Sequence, residues 1–151
     1  MRNYYFLLTC LWAGVILGGS LIVAPAKFQV SSLSMPQLLE VGRVQFQWVG
    51  IAEIIFAALL ILPLLYPPIR TQLSLSAKGF LLAALAALIV QQGLVMPPLD
   101  ERTQSIIVGE AVGSSHLHFV FVAVEIVKVS MLVASCVFLG LEEKSDATFR
   151  S

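Results

Sequence analysis

Four stretches of this chain are each apolar over about the 20 residues that a helix needs to cross a hydrocarbon layer of about 30 Å. No other feature restricts the fold so tightly. The stretches cover roughly residues 4–26, 45–66, 79–96 and 117–141. The first and third hold no charge, the second holds only Glu53, and the fourth holds Glu125 and Lys128. Hydrocarbon offers no water to backbone N–H and C=O groups, so each span must satisfy its own by coiling into a helix. No stretch alternates with a period of two, as a barrel strand would. The expected fold is all-α: a four-helix transmembrane bundle, antiparallel and up-down, forming one integral membrane domain over residues 1–151, with a polar, frayed tail at 142–151. No internal repeat is evident by eye.

Composition narrows the function. The chain is 58% hydrophobic and 12% charged, against about 45–50% and about 25% in soluble domains. Nine basic and nine acidic residues balance, so no cationic excess is present to neutralise phosphates, and nucleic acid is excluded as a partner. The lipid bilayer is the partner that the spans require. The two cysteines lack metal-ligand or redox-motif spacing. Cys10 and Cys136 fall near the same ends of spans one and four, where they could be neighbours, but the reducing side and the apolar setting favour free, inert thiols.

Punctuation and charge set the expected topology. Pro67-Pro68 and Pro97-Pro98 mark the ends of spans two and three, since proline lacks an N–H and disfavours helix in the residue before it. Arg2, Arg70, Lys78, Lys144 and Arg150 lie on one side; Lys27, Arg43 and Arg102 lie on the other. That bias places both termini in the cytoplasm of a bacterial-type inner membrane. The opposite side is termed outer here. The first span also reads as a signal peptide ending near Ala24-Pro25-Ala26, but its apolar run is long for one. Ser34 and Gln37 form a capping box. It opens either a short interfacial helix through Leu38, Leu39, Val41 and Val44, or an early start to span two.

Charges inside a membrane cost about 2.5–3.5 kcal/mol each on insertion scales, so they call for a role. On span four, His118, Glu125, Lys128 and Ser135 share one helical face. Counting turns from the outer ends puts Glu53, Glu125, Ser20, Gln91 and Gln92 at similar depth. These residues predict a shared polar layer and a small cavity opening outward, rimmed by Lys27, Arg43, Arg102 and His116. Two carboxylates then face one ammonium, so a proton, a rim cation or a bound ligand must balance the second. The same residues serve equally well to fix helix register.

Other motifs are weaker. Gly14 and Gly18 form a GxxxG pair that packs span one into the bundle or offers a dimer face. Trp12 reads as packing and Trp48 as an interfacial anchor. His116 and His118 point in different directions on a helix, so no metal site is assigned. No cofactor is identified, and no nucleophile–base pair or phosphate loop is present.

The run Gly18-Gly19-Ser20-Leu21-Ile22-Val23-Ala24-Pro25-Ala26-Lys27-Phe28 resembles the first-span signature of the DUF4149/TMEM205-like four-helix membrane proteins. Val41-Gly42-Arg43, Glu53 and Leu117-His118 sit where that pattern would place them. The resemblance implies the architecture and little chemistry. Arg43 and Glu53 also resemble, in spacing, an arginine and a glutamate of the MAPEG family of glutathione-using membrane enzymes. Phe46 and Gly50 stand where that family carries further polar groups. Three functions follow as expectations: binding or conducting a small ligand, ion or proton; serving as an accessory subunit or homo-oligomer with structural charges; or MAPEG-type catalysis.

Overall fold

The computed structural model describes residues 2–65 and 73–150. Every regular element among them is helical. Four rods are each long and apolar enough to cross a membrane: α1, Asn3–Gln29; α2, Met35–Pro63; α3, Leu75–Ile107; and α4, Leu117–Leu141. The last helix continues to Arg150, so the backbone expected to fray after Leu141 stays helical. Tyr66, Pro67-Pro68, Arg70 and most of the loop expected there lie outside the described residues.

The ends of the rods follow from local chemistry. The Ser34 backbone N–H donates to Gln37 Oε1 at 2.8 Å, completing the capping box, and one continuous helix follows from Met35. The early start to span two is therefore the correct alternative, and no separate interfacial helix forms. Ser74 caps α3 by accepting from the Ala77 N–H at 3.1 Å. At the far end of α3, Gly109 has φ of +84°, a conformation that side chains other than hydrogen resist. Its N–H bonds to Ile106 O while the Glu110 N–H bonds to Ser105 O, the double closure of a Schellman motif.

Span three does not stop at its prolines. α3 runs through Pro97 and Pro98 because a wide π-helical segment, Gln91–Val95, precedes them. The α-helix restarts at Met96, which puts both prolines in a first turn, where a missing N–H costs nothing. The same device occurs in α1. A π-helical segment at Leu17–Val23 is followed by Ala24-Pro25-Ala26. Carbonyls loosened there find donors from a neighbour: Gln45 Nε2 on α2 donates to Gly19 O.

Cross-helix contacts run in opposite residue order between neighbours. Tyr4 and Trp12 of α1 meet Leu59 and Glu53 of α2. Ser135 and Glu125 of α4 meet Ala77 and Gln91 of α3. Trp12, Ile16, Leu60, Leu81, Ala84 and Leu132 form the buried centre. Outward positions carry large apolar groups; Ile89 is 70% exposed, and Leu94 and Phe119 are 71% exposed. An apolar exterior of this extent suits lipid rather than water. No neighbouring rod comes within 4 Å of a Cβ built on Gly14 or Gly18, so the GxxxG pair makes no close approach inside the bundle. Gly19 does the close packing instead, against Val49.

The two hairpins also share one pattern. An offset of 72 residues takes Pro25 to Pro97 and Glu53 to Glu125. It takes Glu53-Ile54-Ile55-Phe56-Ala57-Ala58-Leu59-Leu60 onto Glu125-Ile126-Val127-Lys128-Val129-Ser130-Met131-Leu132. Buried positions coincide at the same offset: Tyr5 with Ala77, Thr9 with Leu81, Trp12 with Ala84, Ile16 with Leu88, Ala57 with Val129 and Leu60 with Leu132. The π segments coincide as well. Ala24 N–H bonds to Gly19 O, and Met96 N–H bonds to Gln91 O. The chain is two rounds of one two-helix pattern, which inspection of the sequence alone did not reveal.

Candidate functional site

Three of the four rods send a polar contact to a single point inside the bundle, the Lys128 ammonium, and α1 reaches it through a residue of α2. Nζ lies 2.6 Å from Glu53 Oε1 of α2 and 2.7 Å from Glu125 Oε2 of its own helix. It also donates to Gln91 Oε1 of α3. An ammonium has three donors, and here all three have acceptors. The second tier closes around them. Gln91 Nε2 donates to Glu125 Oε2 at 2.7 Å, and Trp12 Nε1 of α1 donates to Glu53 Oε1 at 3.1 Å. Glu53, Gln91, Glu125 and Lys128 are each at most 1% exposed. Buried charges persist only where paired and hydrogen-bonded, and of the carboxylate oxygens here one is wholly buried and left without a partner.

The exception is Glu125 Oε1, which is buried without a hydrogen-bond partner, as is Ser20 Oγ. Both residues line a cavity of about 370 Å³ between the rods. Its wall is mostly apolar, with Ala24, Phe46, Met96 and Phe121 among its members. Lys27, Arg43, Asp100 and His118 add polarity. Lys27 Nζ sits 5.2 Å from the Phe28 ring centre and 5.5 Å from that of Phe46, within range of cation–π attraction. It occupies the space that a side chain on residue 42 would need, so Gly42 makes room for it. Arg43 clasps Asp100 with Nε at 2.6 Å from Oδ1 and Nη2 at 3.0 Å from Oδ2. That fork ties α2 to α3. Such an exposed pair adds little stability, and its larger effect is to hold the rim in one shape.

The expected polar layer thus divides in two. Glu53, Gln91, Glu125 and Lys128 converge as the spacing implies. Ser20 stands apart from the ammonium and belongs to the cavity, together with His118. Gln92 turns elsewhere: its amide packs against Gly50, where an added Cβ would meet Nε2 at 2.8 Å. Lys27 and Arg43 do line the cavity, but Arg102 and His116 are not among its lining residues. Ser135 extends the stripe on α4 by donating to Ala77 O at 3.2 Å. Among the described residues, no group of three or more His, Cys, Asp or Glu is placed to hold a metal ion.

Trp12 is the contributor that sequence reasoning missed. An indole in an apolar span reads as packing, and only its register opposite Glu53 distinguishes it. Trp12→Phe keeps most of the ring volume and removes the donor. Since a hydrogen bond to a charged group is worth about 1.5–3 kcal/mol, the variant should melt measurably lower in detergent. An unchanged melting temperature would show that the indole N–H contributes nothing.

No protein-family model, no curated protein and no solved structure matches this chain.

Proposed function

We propose that this integral membrane protein binds a small molecule in the cavity between its rods. The ligand has an apolar body and a head that is cationic or donates a hydrogen bond. The observation that carries this reading is one mostly apolar cavity whose lining includes Glu125 and Ser20, two residues that each hold a buried oxygen without a hydrogen-bond partner. A buried acceptor without a donor costs about 1–3 kcal/mol, and a donor on a ligand would recover that cost. The charge count agrees: Lys128 balances one carboxylate, so a cationic head or a proton balances the other.

Binding fits better than conduction. Trp12, Leu60, Ala84 and Leu132, each 0% exposed, pack into the centre of the bundle and offer no polar path along it. The MAPEG-type reading gains no support, because Arg43 is held by Asp100 and Glu53 by Lys128. A structural role does have its own support. Lys128 with all three donors satisfied is a register lock, so Glu53, Gln91 and Lys128 build the site while Glu125 and Ser20 present it. In this reading the cavity mouth faces outward from a bacterial-type inner membrane, with both termini cytoplasmic, as the flanking charges favour.

The test is native mass spectrometry on protein released gently from its own membrane. The wild type should carry a stoichiometric small mass. Glu125→Gln retains an oxygen for Lys128 but turns an amide toward the cavity. It should lose about 1.5–3 kcal/mol of affinity, one to two orders of magnitude. A bound mass retained equally by Glu125→Gln, or no bound mass in the wild type, would overturn the assignment.

A further inference from the structure

The two cysteines of the chain meet away from the cavity. Cys10 stands on α1 and Cys136 on α4, and the Cys10 thiol donates to Cys136 Sγ at 2.8 Å. One turn further along α4, Gly140 lets the Phe6 ring come close, 3.6 Å from where a Cβ would lie. α1 and α4 therefore approach closely at the sulfur pair and one turn beyond it. A disulfide requires side chains already directed at one another across neighbouring backbones, and these two sulfurs face each other within about 1 Å of bonding distance. Both residues are only partly buried, so a lipid-soluble reagent has access to them.

We propose that Cys10 and Cys136 form a two-electron redox site that converts between a dithiol and an interhelical disulfide by exchange with a small disulfide. One cysteine thiolate attacks the small disulfide, forming a mixed disulfide and expelling one small thiolate. The second cysteine thiolate attacks the protein sulfur of that mixed disulfide and expels the other. The two cysteines are oxidised, the small disulfide is reduced to two thiols, and the two cysteine protons leave with them. The bond ties α1 to α4 two residues from Trp12.

The experiment treats reduced full-length protein in detergent with dipyridyl disulfide. The wild type should release two thiopyridones per chain, keep no pyridyl adduct, and lose the mass of two hydrogen atoms while remaining a monomer on a non-reducing gel. Cys10→Ser and Cys136→Ser should each release one thiopyridone and retain one adduct. Two retained adducts on the wild type, cross-linking between chains, or no reaction would each overturn the proposal.

Discussion

Lys128→Met should be the most damaging single substitution in this protein. The side chains are similar in length, so the change removes a charge and three donated hydrogen bonds without opening a large void. It leaves Glu53 and Glu125 buried with no counter-charge, although both now contact one ammonium. Breaking a buried ion pair from one side costs about 3–5 kcal/mol. Thermal melting in detergent should show a pronounced drop, with reduced yield of folded protein. Adding Glu53→Gln removes one orphaned carboxylate, and the double variant should recover much of the loss. A single variant as stable as the wild type would mean that the cluster does not hold the bundle together. A double variant no better than the single would mean that the two residues are not energetically coupled.

Gln91→Leu ranks second. The amide joins two charged groups at once: its oxygen accepts from Lys128 and its nitrogen donates to Glu125. Leucine can do neither. Hydrogen bonds to charged groups contribute about 1.5–3 kcal/mol each, so losing both should cost about 3–5 kcal/mol after some relaxation. Gln92→Leu is the internal control, because Gln92 packs beside Gly50 outside the cluster. Chemical or thermal denaturation should separate the two variants clearly. Equal effects at both positions would undo the distinction between them.

The four spans were legible because hydrocarbon demands a minimum apolar length and tolerates few charges. The stripe of Glu125, Lys128 and Ser135 was legible because α-helical spacing fixes which side chains share a face. The convergence of Glu53 and Gln91 followed from counting turns. That method failed where the helix is not an α-helix. The π segments at Leu17–Val23 and Gln91–Val95 shift the phase of everything beyond them, and Pro97-Pro98 read as an end although the helix runs on through them. Arg102 and His116 read as rim residues from their polarity but are not among the residues lining the cavity, which composition cannot reveal. The hairpin pattern escaped notice because few residue identities survive between the halves. Its clearest trace in the sequence is Glu-Ile followed, six residues after the glutamate, by an aliphatic-leucine pair; the matching burial shows only in three dimensions.

A π turn is a helix holding one residue more than its pitch requires, and so it stores an insertion without breaking the hydrogen-bond ladder. Winding the same residues of α1 or α3 at the ordinary α-helical pitch would swing everything beyond them by about 100°. In α1 the swing would carry Lys27 off the Phe46 ring, and in α3 it would pull Asp100 out of the Arg43 fork. The mouth of the cavity is therefore a matter of phase as much as of composition: two surplus residues, one per hairpin, aim its rim.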